Sequence, residues 1–304
     1  MIAFESATIG QSYSACAFVN PREIVAITFD DSGVVRNIER FGLEDGNVVA
    51  LSRRVTDSNV QGVGSVGVAP ALKAAFAERM QELYESDPRL KYVLVFKNFG
   101  PAAGASIPHT HSQIIATPVV PQNVEDEVVN SRQYHAKYNQ CVFCSLIDEA
   151  LTYEATIYDR ESGEIRRKID VGQYVVERGR HFVAIKPFAS RYEWELHILP
   201  LEHQADFLQV TKEQLEDFAL VLKRSMQRLD HVIGGAQYNF FLHSKPHGRD
   251  YDNCEESYHW HLEICPRTSI PTGFELGSGL FVSTISPEDA AAALRAVELP
   301  DESA

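Results

Sequence analysis

The sequence predicts an α+β protein made of two tandem, similar halves, each an antiparallel sheet with packed helices. Three observations lead there. Apolar runs of strand length recur in both halves, each half carries a helical stretch among those runs, and each has a His-x-His element near its end: His109-Thr110-His111 in the first and His259-Trp260-His261 in the second. The repetition reads as an internal duplication, with a first unit over residues 1–125 and a second over 126–304.

In chain order, Glu23–Phe29 and Leu90–Phe96 carry strand signals, the second as a nearly continuous apolar run suited to a buried central strand. Pro70–Glu85, between them, reads as a helix, and Ser112–Thr117 as a further short strand after a turn rich in glycine, alanine and serine. The polar stretch Gln122–Gln140 has no strand pattern and reads as a partly helical connector, which is why the boundary falls there. Strands are then expected at Gln173–Glu177, His181–Lys186 and Glu193–Leu199. The helix that follows has the clearest signature in the chain. Thr211 and Gln214 form a capping box, and Leu215, Phe218, Leu222, Met226 and Leu229 recur on one helical face. Strands at Gln237–His243 and His259–Cys265 follow, and Ser286 with Pro287 starts a last helix to about Val297.

Composition bounds the function. With 304 residues, 44% of them hydrophobic and 23% charged, the chain can build a substantial core. No apolar run approaches the roughly 20 residues that span a bilayer, and the opening Met1–Ser6 lacks the basic-then-apolar order of a signal peptide. A cytoplasmic location without a membrane partner is expected. Forty-two acidic against 28 basic side chains give a net charge of -14, which repels a nucleic-acid backbone, and no basic patch offsets it. Small anionic substrates remain compatible, because a few donors in a pocket outweigh the mean field. Of the five cysteines, Cys141 and Cys144 form a tight Cys-x-x-Cys that in a reduced compartment points to metal more than to a disulfide. Cys16, Cys254 and Cys265 read as buried or inert thiols.

The chemistry concentrates in Asn98–Gln113, which combines small residues, a hydroxyl, two imidazoles and an amide. Glycine lets backbone amides approach a phosphate, and Asn98, Ser106 and Gln113 can donate to its oxygens without adding charge. A neutral imidazole is a competent nucleophile toward phosphorus. Strand alternation would set His109, His111 and Gln113 on one face.

The stretch from Phe96 to Ala116, with Asn98, Gly104-Ala105-Ser106-Ile107 and His109-Thr110-His111-Ser112-Gln113, resembles without a gap the active-site segment of the galactose-1-phosphate uridylyltransferases and the related plant ADP-glucose phosphorylase, in the histidine-triad superfamily. The similarity continues through Tyr258–Arg267 and Gly273–Gly277, and in all covers residues from about 90 to 298. It implies that His111 is the nucleophile that carries the nucleotide, assisted by Gln113, and that Asn98, Gly104, Ala105, Ser106, Ile107 and Gln113 bind its phosphates and sugar. Phe274 and Glu275 would belong to a substrate loop that reaches the other subunit of a homodimer. It also implies a structural zinc held by Cys141, Cys144, His203 and His259. His261 and Glu263 stand where a second nucleophile and glutamine would be, but a carboxylate repels phosphate, so the second His-x-His is not expected to be catalytic.

One departure from the family pattern stands out. Its first Cys-x-x-Cys and Asp-His segment, which with the first histidine of the motif hold another zinc, have no counterpart here: only Cys16 precedes the motif and Arg54–Asn59 has no histidine. The activity implied is UDP-glucose:hexose-1-phosphate uridylyl transfer in galactose metabolism, by a ping-pong route through a nucleotidyl-histidine, with nucleotide-sugar and sugar 1-phosphate as substrates. Two alternatives stand beside it: an ADP-sugar or dinucleoside polyphosphate phosphorylase or hydrolase using the same histidine, and a catalytically silent nucleotide-binding protein.

Overall fold

The fold is that of a computed structural model, which describes residues 73–105, 111–152, 154–158, 162 and 165–299, together with four strands before residue 43. Those four, β1 (Ala7–Ile9), β2 (Ser12–Asn20), β3 (Glu23–Phe29) and β4 (Val35–Gly42), form an antiparallel sheet in sequential order. The predicted Glu23–Phe29 strand is β3 with the same bounds. The Arg54–Asn59 segment lies outside the described residues.

The element that positions the site is a seven-stranded sheet. Its strands are β5 (Tyr92–Phe99), β6 (Ser112–Thr117), β9 (Val175–Arg178), β10 (Phe182–Ile185), β11 (Leu196–Pro200), β12 (Tyr238–His243) and β13 (His261–Pro266), and β7 (Glu154–Tyr158) with β8 (Ile165–Asp170) make a separate hairpin. The order across the sheet is β6-β5-β12-β13-β11-β10-β9, with every neighbour antiparallel. Strands from before and after residue 125 meet at β5 and β12, so they share one hydrogen-bonded sheet. The central strands are apolar for a physical reason: every residue of β10 and β13 is buried, so both faces must be covered.

The helices are α1 (Arg79–Ser86), preceded by a π-helical stretch Lys73–Glu78, then α2 (Gln122–Tyr138), α3 (Val142–Thr152), α4 (Lys212–Ile233), α5 (Gly273–Ser278) and α6 (Pro287–Arg295). Helix α4 starts as its capping box predicts. Thr211 Oγ1 accepts from the Gln214 N–H at 3.2 Å, and Gln214 Oε1 accepts from the Thr211 N–H at 2.9 Å. It ends at Gly234, whose φ of 73° is left-handed and whose N–H donates to Asp230 O at 2.8 Å. Its stripe packs Leu215, Phe218 and Leu229 against Val93, Val95, Leu196, Ile198, Phe240 and Ile264 on one face of the sheet. Trp260 lies among Phe182, Phe207 and Phe218 with ring centroids 4.9–5.6 Å apart. Arg228 on α4 fastens α6 by donating to the carbonyls of Leu294, Arg295 and Val297.

The polar connector is a full helix. Helix α2 buries little beyond Val124, Val128 and Ser131, so its sequence has too weak an apolar stripe to announce it. With α3 it covers part of the opposite face of the sheet, around Tyr92 and around Val183, Ile185 and Leu199. The remainder of that face, toward the end of β5, carries the polar side chains described next. Among the described residues, no helix is long and apolar enough to cross a membrane.

Candidate functional site

Strand β5 ends in a turn with little latitude. Gly100 has φ 84°, and a Cβ there would lie 2.5 Å from Gln237 Cγ, so both conformation and space demand glycine. A 3-10 turn over Pro101–Ala103 follows, closed by Gly104 at φ 77°, whose N–H donates to Pro101 O at 3.0 Å. The turn is held from β12. Gln237 Oε1 accepts from the Ala102 N–H at 2.6 Å, and Asn239 Nδ2 donates to Ala103 O at 2.9 Å and to Asn98 Oδ1 at 2.7 Å. Asn239 in turn accepts from Arg267 Nε at 2.5 Å.

His111 is half-buried immediately before β6. Lys97 pairs with Ser112, so continuing that register by one residue sets His111 across from Asn98. Gln113 pairs with Phe96, which places it on the same face of the sheet as Asn98. The strand itself begins at Ser112, so of the residues expected on one face Gln113 lies within it and His111 immediately before it. Ser106, Ile107 and His109 lie outside the described residues, while Gly104 is exposed and Ala105 half-buried at the edge of the turn.

The four residues anticipated as metal ligands converge. Cys141 stands just before α3 and Cys144 in its first turn, a spacing that lets both thiols reach one point, and His203 and His259 flank the ends of β11 and β13. One donor atom from each lies within 4.8 Å of all the others. Cys144 Sγ is 3.3 Å from His203 Nδ1 and 3.5 Å from His259 Nδ1. Both rings are fixed from behind: His203 Nε2 donates to Glu255 O at 2.6 Å and His259 Nε2 to Pro200 O at 3.0 Å. A carbonyl only accepts, so each Nε2 carries the proton and each Nδ1 lone pair faces the thiols, as a ligand requires. The Cys144 thiol, hydrogen-bonded to Cys141, and then the two imidazoles hold Cys141 far below the ordinary thiol range. Cys144 is pushed up in consequence, and burial adds to this. A cation bound here would displace the remaining thiol proton. The quartet can thus hold a metal ion.

The second His-x-His is deeply buried. His259 is 0% and His261 1% exposed. Facing His261 lies a cluster that composition alone does not reveal: Glu127 on α2 accepts from His243 Nδ1 at 2.9 Å and from Tyr258 Oη at 2.9 Å, and Glu263 pairs with Arg191. Burial raises the Glu263 pKa, but the His261 hydrogen bond and the nearby His197 and His243 outweigh it and hold the carboxyl well below its usual range. Burial opposes charge on His261, yet Glu263 and Glu127 raise its pKa overall. His197 hydrogen-bonds Glu195 at 2.9 Å. His181, His197 and His243 each find a carboxylate in the fold.

Phe274 and Glu275 lie on α5, with Phe274 56% exposed and the Glu275 carboxylate accepting from the Thr272 N–H and hydroxyl at 2.9 Å. Among the described residues no hydrogen bond or ring contact joins them to Asn98 of the same chain. His247 stacks on Tyr84 at 3.8 Å and hydrogen-bonds Asp206 at 2.7 Å. Its N–H bonds to Lys91 O, which places it by the start of β5, at the end remote from the turn. Cys254 and Cys265 are buried free thiols, while the side chain of Cys16 lies outside the described residues. The residues that spacing and motif missed are Gln237, Asn239, Arg191 and Glu127. Arg267 sits within the stretch that carries the family resemblance, but nothing singled it out.

Comparison with known proteins gives the following similarities. Residues 62–159 match a family described as a domain of unknown function, DUF4921. The chain is homologous to the ADP-glucose phosphorylase of Arabidopsis thaliana, 29% identical over 90% of this chain and 69% of the relative. It is also homologous to the galactose-1-phosphate uridylyltransferase of Thermotoga maritima, 27% identical over 74% of this chain and 65% of the relative. The chain thus spans about two thirds of these proteins' length. A solved structure of an ADP-glucose phosphorylase from Arabidopsis thaliana with bound ADP-glucose has the same fold, with a TM-score of 0.64 at 24% identity over 95% of this chain and 83% of that one. The chain is thus similar in sequence to proteins named ADP-glucose phosphorylase and galactose-1-phosphate uridylyltransferase, and shares the fold of the former.

Proposed function

We propose that this protein transfers a nucleotide from a nucleoside diphosphate sugar to a phosphorylated acceptor through a covalent intermediate on His111. The observation that supports the reading most is the register of β5 and β6, which pairs Lys97 with Ser112 and, continued by one residue, would set His111 across from Asn98 near a glycine turn. In the first step an imidazole nitrogen of His111 attacks the α-phosphorus, and the bond from that phosphorus to the bridging oxygen breaks. The sugar 1-phosphate leaves with the electron pair. In the second, an acceptor phosphate oxygen attacks the same phosphorus, the phosphorus–nitrogen bond breaks, and the imidazole is restored. Gln113, Ser106, Asn98 and the backbone of Gly104, Ala105 and Ile107 would donate to the phosphate oxygens as charge redistributes. Fixed donors suit a transition state that needs little covalent help.

The acceptor we favour is a hexose 1-phosphate, with UDP-glucose as donor, a role in galactose metabolism. The name of the plant relative favours a second reading, in which the donor is an ADP-sugar and the acceptor inorganic phosphate. Intact-protein mass spectrometry after incubation with UDP-glucose or ADP-glucose decides the base. A nucleotide-sized adduct present in wild type and lost in His111→Ala is the expected result, and release by galactose 1-phosphate or by inorganic phosphate identifies the acceptor. No adduct with either donor in folded protein would leave a silent nucleotide binder.

Zinc is the metal that a two-thiolate, two-imidazole set suits best, and Cys141, Cys144, His203 and His259 would hold it. When bound it would supply cross-linking of α3 to β11 and β13, not Lewis-acid chemistry, since four protein ligands leave no open position. The two units, 1–125 and 126–304, are read as copies of one plan sharing a sheet through β5 and β12. A homodimer is supported by the exposed apolar side chains Ile270, Phe274, Leu276, Leu280 and Val282 on and around α5, where Phe274 and Glu275 would serve the partner's site. A cytoplasmic location fits reduced thiols at the metal quartet.

A further inference from the structure

We infer that Asn239 and Arg267 are positioning residues that decide which end of the Asn98 amide faces the phosphate turn. The inference rests on the reading of that turn as a nucleotide phosphate site. An asparagine amide has a donating and an accepting end, and a phosphate can only accept. Asn98 therefore helps an anion only with its NH2 turned toward it, while its C=O turned that way repels.

The network settles the orientation from chemistry alone. The Arg267 guanidinium has donors and no acceptor, and its Nε lies 2.5 Å from one end of the Asn239 amide, so that end is oxygen. The other end lies 2.9 Å from the carbonyl oxygen of Ala103, which only accepts, so that end is NH2. Two independent partners thus pin Asn239. Its second N–H reaches Asn98 at 2.7 Å and must meet the Asn98 carbonyl oxygen. Strand β5 has β12 on one side and β6 on the other, so the Asn98 NH2 is turned away from Asn239, toward the side where His111 enters. Arg267 is itself immobilised. Its Nη1 donates to Tyr192 Oη at 2.5 Å, its guanidinium carbon lies 4.6 Å over the Tyr192 ring, and its backbone N–H donates to Gln237 O at 2.7 Å. Arg267, Asn239 and Asn98 form a one-way chain of donors that begins on a permanent positive charge and ends at the anion, and each bond polarises the next.

The test is a double-mutant cycle on the full-length protein with ADP and UDP as probes. Asn239→Asp preserves shape and the bond to Arg267, but it turns an acceptor toward Ala103 O and Asn98, so the Asn98 amide must rotate its NH2 inward. Affinity for the nucleoside diphosphate that wild type binds should fall roughly 10- to 100-fold, the range for a hydrogen bond to a charged group. Asn98→Ala should cost a similar factor, and the double variant no more than the worse single one. Arg267→Met, which frees the Asn239 amide to rotate, should lie between wild type and Asn239→Asp. It serves as the second variant if the aspartate substitution fails to fold. The Asn98 side-chain NH2 resonance, assigned by its loss in Asn98→Ala, should shift on adding nucleotide in wild type and not in Asn239→Asp. Additive losses in the double variant, or wild-type affinity in both Asn239→Asp and Arg267→Met, would overturn the inference. Wild type that binds nucleotide yet forms no adduct on His111 would sink the transfer reading while the binding cycle still decides this one.

Discussion

The two His-x-His elements begin as the same pattern and end in opposite surroundings. The first brings His111, half-buried, to the edge of the sheet beside a glycine turn and amide donors. The second leads into a strand flanked by β12 and β11, with His259 just before it turned to two thiols and His261, its first residue, enclosed by Glu127 and Glu263. Two positions beyond the second histidine of each pair, one element has Gln113 and the other Glu263. A neutral amide can serve a phosphate. A buried carboxylate locked to Arg191 cannot, and it serves the fold instead. Motif spacing thus names the side chains, while their place in the sheet decides between chemistry and structure.

Removing the metal proposed for the quartet should break the comparison most severely. Cys144→Ser or exhaustive chelation leaves buried imidazole and thiol groups without their cation, and the melting temperature should fall by more than about 10 °C. Calorimetry with zinc analysis checks this; an unchanged melting curve in metal-free protein would mean the quartet is not a structural site. Next in size is Glu263→Gln, which makes the second element match the first. It should confer no second nucleotide adduct and should cost about 3–5 kcal/mol, because Arg191 and His261 lose a buried partner. Denaturant unfolding measures the loss, and a gain of labelling at His261 would contradict the account. A milder change tests the frame that both elements share: Thr211→Ala removes the α4 cap and should cost about 1 kcal/mol without altering nucleotide binding.

The smallest expected effect is a pH dependence. Lys186 is buried, which lowers its pKa to about 8 from 10.5. In that interval the unfolded chain binds the extra proton, so stability should rise as pH climbs from about 8 toward 10.5. Wild type minus Lys186→Met, compared across that interval by thermal melting, isolates the contribution. A flat difference would show that the ammonium finds full compensation in Ser190 and Tyr192.

Much of this was legible in the chain because it is local. Strands β3 and β6 carry their bounds openly, and the α4 capping box is written in Thr211 and Gln214. The metal quartet was readable through Cys-x-x-Cys and the family resemblance. What escaped depends on contacts far apart in sequence. Glu127 sits in a polar segment read as only partly helical, with no sign of a buried role, and reaches His243, 116 residues away. Asn239 looks like any polar strand residue until β12 is laid against β5, and Gln237 has no local signal for its hold on the Ala102 amide. The helix carrying Cys144 and the β7–β8 hairpin went unread because no cap or turn signature was recognised at their starts.

The most direct measurement is peptide-level mass spectrometry that locates a trapped nucleotide after brief incubation with UDP-glucose or ADP-glucose. The account predicts the adduct on the peptide containing His111 and none on the peptide containing His259 and His261. A nucleotide on the second peptide, or an adduct that survives His111→Ala, would contradict it.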